Sequence, residues 1–334
     1  MAWRRATQRQ PRPASMVDMA RRDEVLVDDD KAREIADRYG LQVDEFSKMG
    51  SPGSINSIYT LGDGFVLRVP RDHPNHVEQA QREAAAIPLA VAAGVTTPGL
   101  VAFDESREVL PVPYLIVERV DGIDAEQRQL SAEQTDAMWH LIGRDLARLH
   151  AAVVPTAGNA AATPDHAFAF ADPRTAIEDR QREGWISAHE ARWIAGWLDA
   201  LAPDGAAPQA PCIVHGDLQM SNVLLSDTGS ATLIDWGCAR LDDPVADFLA
   251  MPMAAVPPLL AGHREISPLP DDDRAEARIL WRRLQMLIAV LPRGAAPGSS
   301  WGERPVGWLV DLLRFFLSPP KDSAWRALAP PHQP

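Results

Sequence analysis

The chain has 334 residues, 46% hydrophobic and 24% charged, so it can build a substantial core in one large domain or in two lobes, of which two lobes are the preferred division. A formal net charge of -13 at pH 7 argues against a general nucleic-acid or anionic-membrane surface, because that binding is carried by clustered Lys and Arg. No apolar run approaches the roughly 20 residues needed to cross a bilayer, so neither nucleic acid nor membrane is an expected partner.

Residues 1–22 are rich in Arg, Gln and Pro but lack an apolar core, so Arg4-Arg5 does not make a secretory or twin-arginine signal. A disordered tail is expected over 1–27, with Met16 and Met19 as possible true starts. Next, "DDDKAREIADRYG" carries acids at its start, Ala32, Ile35, Ala36 and Tyr39 at helical spacing, and Gly40 as a stop, which predicts a short amphipathic helix. Two strands, Ser57 to Leu61 and Phe65 to Val69, are then predicted around Gly-Asp-Gly, a hairpin preceded by a Ser/Gly segment. A helical pattern from Val77 to Ile87 is expected to break at Pro88, and "PVPYLIVERVDG" follows as a β-rich run ending at Gly122.

From Ser131 the pattern becomes helical. Ser131 and Gln134 form a capping box, and Met138, Leu141, Ile142, Leu146 and Leu149 make the buried stripe of a long helix. His150, beside Leu149, reads as a packed or partly exposed residue. The Ala/Pro-rich "PTAGNAAATPDHAFAFADP" lacks periodicity and reads as a loop that could border a substrate. Further helices are expected over Thr175 to Ala200, Arg274 to Leu291 and Val306 to Leu317; Asp271, Asp272 and Asp273 favour the positive end of the second of these.

The β signal in this half is "IVHGDLQMSNVLLSDTGSATLIDWGCARLDDPVADF". Val223 to Leu225 and Ala231 to Ile234 read as two strands joined by a turn at Asp227 to Gly229, with a loop from Asp217 to Asn222 and Gly216 permitting a tight bend. A hairpin brings its ends together, so Asn222 before one strand and Asp235 after the other must approach, and the loop carries Asp217 to the same end. Two carboxylates and a carboxamide gathered there suit phosphoryl transfer from a nucleotide: hard oxygens hold Mg²⁺, and a carboxylate receives or orients the proton of a hydroxyl acceptor. Trp236 reads as a packing residue. The only cysteines, Cys212 and Cys238, form neither a C-x-x-C pair nor a zinc pattern, which fits a reducing cytoplasm.

The coupled letters of "HGDLQMSN" and "LIDWG" resemble the catalytic and metal-binding loops of the aminoglycoside phosphotransferase family, relatives of the eukaryotic protein kinases. That resemblance implies Asp217 as catalytic base, Asn222 and Asp235 as Mg²⁺ ligands, and His215 as a structural member of the loop, with Asp247 of "DDPVADF" supporting it. The fold it implies is α+β and bilobal, protein-kinase-like: a small β-rich N-lobe over 28–121 that binds nucleotide and a larger, mainly helical C-lobe over 122–330 with the catalytic loop and acceptor site. "GSINSIYTLGDGFVLRVP" and "QREAAAI" sit in the family's order, which implies Arg68 as the strand cation on the phosphates and Glu83 as its helix partner. Ser54, Ile55, Asn56 and Ser57 would overlie the phosphates, and Glu118, Arg119 and Val120 would meet the nucleobase. Arg68 departs from the commoner lysine, and a guanidinium grips two oxygens where an ammonium is a point charge; macrolide phosphotransferases show a similar "VLRVPR"-like run.

The expected activity is therefore Mg²⁺-dependent transfer of the γ-phosphate of ATP or GTP to a hydroxyl of an antibiotic, of aminoglycoside or macrolide type, conferring resistance. A kinase of a cellular choline, sugar or amino alcohol is the alternative, and a nucleotide-binding pseudoenzyme a third.

Overall fold

The computed structural model describes residues 24–49, 55–152, 172–205, 210–292, 305–321 and 323–331. Ser54, most of the expected tail and nearly all of the Ala/Pro-rich loop lie outside these residues. The chain divides into two compact units, Met1–Ala80 with Val101–Arg119, and Gln81–Leu100 with Val120–Pro334.

Among its described residues, the first unit is a five-stranded sheet with a helix before it and the first turns of the helix that follows its third strand. Helix α1 (Asp29–Arg38) is capped by Asp28, whose side chain accepts from the Lys31 N–H, and it buries Ala32, Ile35 and Ala36 as its spacing predicts. Strands β1 (Phe46–Lys48), β2 (Asn56–Leu61), β3 (Phe65–Pro70), β4 (Leu100–Asp104) and β5 (Tyr114–Glu118) stand in the order β1-β2-β3-β5-β4. The predicted hairpin is β2–β3, with Tyr59 opposite Leu67 and Ile58 opposite Arg68. Tyr59, Leu61, Leu67, Val69, Tyr114 and Ile116 fill the core with Ile35 of α1. The tail ends earlier than expected: Glu24 pairs with Lys48, and Val27 is buried in this core.

Two strands escaped the sequence reading because β1 has one half-buried residue and β4 mixes buried and exposed positions, so neither shows clean alternation. The helix that follows β3 also differs from expectation. Helix α2 (Pro74–Ala92) passes through Pro88 instead of stopping there; Ala84, Ala86, Ile87 and Ala90 are buried on both sides of it, and this packing outweighs the hydrogen bond that proline removes.

The second unit takes α2 from Gln81 onward and the segment to Leu100, which the single cut expected at 121/122 assigned to the N-lobe. Hydrogen bonds explain the division. Thr96 donates its N–H to Asp145 and accepts from the Leu233 N–H, and the Thr97 hydroxyl donates to the Leu233 carbonyl. Helix α3 (Ala132–His150) opens with the predicted capping box at Ser131 and Gln134. Its buried face includes Met138, Ile142, Leu146 and Leu149 but takes Trp139 and Gly143 in place of Leu141, which is exposed.

Helix α6 (Val256–Ile266), unanticipated because its first turn contains two prolines, crosses α3 at backbone contact. A Cβ on Gly143 would lie 2.0 Å from the Leu259 carbonyl oxygen, and one on Gly262 would lie 1.9 Å from that of His140. Both glycines are required by this approach. Gly143→Ala gains about 1 kcal/mol in helix propensity but forces the helices apart, an overpacking cost of about 1–3 kcal/mol or more; a lowered unfolding midpoint is the expected result, measured by thermal denaturation.

The helix expected over Thr175 to Ala200 is two, α4 (Pro173–Arg182) and α5 (Ala188–Gly205), separated at Gly184, whose φ is +81°. Helix α7 (Ala275–Val290) buries Arg283, which donates to the carbonyls of Phe248 and Met251. Helix α8 (Pro305–Leu317) follows the expected span.

Candidate active site

The predicted constellation assembles within the second unit. Strands β8 (Val223–Leu225) and β9 (Ala231–Leu233) pair antiparallel, Val223 opposite Leu233. Just past this register the Ile234 N–H donates to the Asn222 carbonyl at 3.0 Å, so Asn222 and Asp235 are brought together at the base of the hairpin. Strand β6 (Ile123–Asp124) borders β8, and β7 (Cys212–Val214), the predicted strand remnant, pairs with β10 (Arg240–Asp242).

Asp217 is held at both carboxylate oxygens. Gln219 donates to Oδ1 at 2.5 Å, and the Asn222 side-chain amide donates to Oδ2 at 3.2 Å and to the Asp217 carbonyl at 2.8 Å. Burial pushes the Asp217 carboxyl above the ordinary carboxylate value; the Gln219 hydrogen bond and His215 pull it back, and the nearby charge of Asp235 adds to the rise. A buried carboxylate beside another is a better proton acceptor than a solvated one.

Asp235 has a φ of +67°, a left-handed conformation that costs an L-residue about 1–2 kcal/mol. It turns the chain sharply from β9 into the short 3₁₀ turn Trp236–Cys238. Thr97, unmarked in the sequence, fixes this corner: besides its bond to Leu233 it accepts from the Trp236 indole N–H at 2.9 Å. Trp236 is buried, as expected of a packing residue.

His215 ties the loop to the same corner. Its Nε2–H donates to the Ile234 carbonyl at 3.0 Å, and its ring lies 4.6 Å from that of Trp236. Gly216, at φ +82°, has no room for a side chain: a Cβ would meet the Cys238 carbonyl oxygen at 2.3 Å and Arg240 Nη1 at 2.4 Å. Asp247 lies beneath, fully buried, and accepts from the N–H groups of His215 at 3.0 Å and Gly216 at 2.7 Å and from His150 Nε2 at 3.0 Å. Burial alone would raise the Asp247 carboxyl; the hydrogen bond and charge of His150, with His215 and the Gly216 N–H, hold it below the ordinary value.

His150 is therefore a member of this assembly, its side chain 6% exposed, and the sequence reading that left it as a packed or partly exposed helix residue missed its partners. His263 on α6 stands behind it, with Nε2 at 3.1 Å from His150 Nδ1 and Nδ1 at 2.8 Å from the Ser267 carbonyl. No local pattern marked either residue, because the contacts span 97 and 113 positions.

Burial, and then the charge of His150, lower the His263 imidazole from 6.5 to about 4, against the smaller opposing effects of the Ser267 carbonyl, Asp272 and Asp247. The unfolded chain binds a proton at this residue below pH 6.5 while the folded one does not until about pH 4. Its contribution to stability is thus complete above pH 6.5 and declines by about 3 kcal/mol as the pH falls to 4. Chemical denaturation at pH 7 and 4.5 measures this loss, and His263→Gln, which cannot titrate, is expected to flatten it.

Both cysteine thiols are held in the protonated form. Burial, and then the charges of Asp217 and Asp235, push the Cys238 thiol up to about 12, and burial with Asp247 also raises Cys212.

The donor set suits a hard divalent cation. The Asp235 carboxylate and the Asn222 amide are hard oxygen donors near one hairpin base, and the carboxylates of Asp217 and Asp235 beside each other favour positive charge between them. Among the described residues no group of three or more His, Cys, Asp or Glu is arranged to hold a metal; Mg²⁺ at Asn222 and Asp235 would take its remaining oxygens from phosphate and water, as that ion commonly does.

The expected nucleotide-binding residues of the N-terminal half occupy two units. Arg68 is buried in β3 of the first and Glu83 is buried on α2 of the second, so neither is a solvated surface charge. Ile55 accepts from the Arg71 N–H, and Asn56 and Ser57 are buried in β2, the Ser57 hydroxyl donating to Glu24. Glu118 ends β5, and the Arg119 N–H is donated to the Gly64 carbonyl. Among the described residues no helix is long and apolar enough to cross a membrane.

A family model described as the phosphotransferase enzyme family, APH, matches residues 51–298. No curated protein matches the chain. Among solved structures, the GDP complex of wild-type aminoglycoside 2'-phosphotransferase-IIIa is 16% identical with a TM-score of 0.60, covering 84% of this chain and 97% of that one. Spectinomycin phosphotransferase APH(9)-Ia, in complex with ADP and spectinomycin, is 12% identical with a TM-score of 0.53 over 85% and 94% of the two chains. A choline/ethanolamine kinase family protein from Mesorhizobium loti is 15% identical with a TM-score of 0.54 over 89% and 97%. These likenesses establish a kinase-like α+β fold.

Proposed function

Because the chain belongs to the APH phosphotransferase enzyme family, and so transfers phosphate to an alcohol group of a small molecule, we propose that its donor is Mg²⁺-bound ATP or GTP and its acceptor an antibiotic of aminoglycoside or macrolide type. The observation that carries the reaction is the convergence of Asp217, Asn222 and Asp235 at one hairpin base. Asn222 and Asp235 would hold Mg²⁺, which when bound supplies charge neutralisation for the phosphates.

Asp217 accepts the hydroxyl proton of the acceptor. Its carboxylate is aimed by Gln219 at one oxygen and Asn222 at the other and made more basic by burial, and a remaining lone pair orients the hydroxyl. His215 and Asp247 hold the loop from beneath, and positioning supplies much of the rate. Arg68 is the proposed phosphate cation and Glu83 its proposed partner; backbone groups of Ser54 to Ser57 cover the phosphates, and those of Glu118, Arg119 and Val120 meet the base. The nucleotide complexes of the similar structures, with GDP and with ADP, support the donor class.

Support for an antibiotic acceptor comes from the aminoglycoside and spectinomycin phosphotransferases among those structures, and the net charge of -13 favours a cationic one. The choline/ethanolamine kinase family neighbour supports the second reading, a metabolite kinase. A nucleotide-consumption assay over both acceptor classes separates them: the proposal expects the highest kcat/KM on an antibiotic, and a higher value on choline or another amino alcohol would transfer the assignment to metabolism. The same reading places the reaction in the cytoplasm, where the nucleotide is.

A further inference from the structure

We propose that His150 is a buried imidazolium, kept charged by donating to a neutral His263, and that this pair positions the loop carrying Asp217. The count of hydrogens requires it. Ser267 offers His263 Nδ1 a carbonyl oxygen, which can only accept, so that nitrogen bears a hydrogen. Asp247 Oδ2 likewise accepts from His150 Nε2 while taking the His215 N–H, and its Oδ1 takes the Gly216 N–H. Each ring has then spent its one neutral-state hydrogen, yet His150 Nδ1 and His263 Nε2 face each other at 3.1 Å. Two bare nitrogens would repel, so a third hydrogen lies between them and the pair carries one positive charge.

The neighbourhood decides which ring holds it. His150 touches the Asp247 carboxylate, while His263 is 2% exposed, packed near the Phe248 ring and at a carbonyl whose hydrogen bond needs no charge. The other groups acting on the pair or on Asp247 are His215 and Asp272; Cys212 lines the adjoining pocket of about 390 Å³ as a neutral thiol. This pocket, whose walls include both imidazoles, gives protons a path to them. The excess proton balances the Asp247 charge, and that carboxylate in turn clamps the two peptide N–H groups preceding Asp217. His263 is thereby a positioning residue acting through His150 and Asp247.

The test is histidine side-chain ¹⁵N NMR on the full chain at pH 7.5, with assignment by single replacement. The expected result is both ring nitrogens of His150 protonated and His263 neutral with its hydrogen on Nδ1. A His150 carrying one ring hydrogen overturns the proposal, whatever the enzyme's substrate. In His263→Phe, which cannot accept, His150 is expected to become neutral and the amides of His215 and Gly216 to exchange at least tenfold faster; His263→Gln, which accepts from His150 and donates to Ser267, is expected to restore both. Exchange unchanged in His263→Phe overturns the positioning role, and should that variant not fold, the same comparison is made with His263→Leu, which likewise cannot accept. Only the last readout rests on the proposed reaction: with Mg-ATP, His263→Phe lowers kcat without altering the nucleotide Kd, and an equal loss in His263→Gln contradicts it.

Discussion

Replacing Asp217 by Asn is expected to lower kcat for phosphate transfer by about 10²–10⁴-fold, the usual contribution of a positioned general base, with the nucleotide Kd nearly unchanged. The amide keeps the size and an oxygen for one of the two donors, Gln219 or Asn222, but its NH2 group replaces the other acceptor and it cannot take the acceptor proton. It also removes a negative charge beside Asp235, so any change in nucleotide affinity should be small. Steady-state kinetics with fluorescence titration of nucleotide measure the two effects separately. Undiminished turnover would remove Asp217 from the chemistry, whereas equal losses in kcat and affinity would make it a binding residue.

The second large effect is on stability. Asp247→Ala strips the acceptor from the N–H groups of His215 and Gly216 and from His150 at once. Leaving one partner of a buried ion pair uncompensated costs about 3–5 kcal/mol, a large share of the 5–15 kcal/mol typical of a folded protein. Denaturant unfolding at pH 7.5 should register that loss. Asp247→Asn retains an oxygen for one backbone N–H but loses the charge facing His150, and a smaller destabilisation is expected. An Asp247→Ala variant as stable as the parent would show that the loop needs no support from below.

What was legible in the sequence was local. Gly216, Asp217, Asn222 and Asp235 sit around a strand-turn-strand whose alternation and turn residues predict the hairpin, and a hairpin leaves no choice about which ends meet. The capping box at Ser131 is equally local, a reciprocal bond over one turn. Strand β10 was not legible: its three residues acquire strand geometry only by pairing with β7, a contact that composition does not announce. Nor was the α3–α6 crossing, which depends on Gly143 and Gly262 in different helices. Thr97, His150 and His263 escaped for the same reason: each is an ordinary residue until distant chain arrives beside it. Pro88 misled because the local penalty of a proline says nothing of the burial on either side that offsets it.

The most direct measurement is ³¹P NMR of the purified chain with Mg-ATP or Mg-GTP and a panel of hydroxyl acceptors spanning aminoglycosides, macrolides, choline and sugars. A phosphomonoester resonance should grow with one acceptor class as the γ-phosphate signal falls, only when Mg²⁺ is present, and Asp217→Asn should show none. Absence of any phosphomonoester across the panel, or its formation at the same rate by Asp217→Asn, would contradict the account.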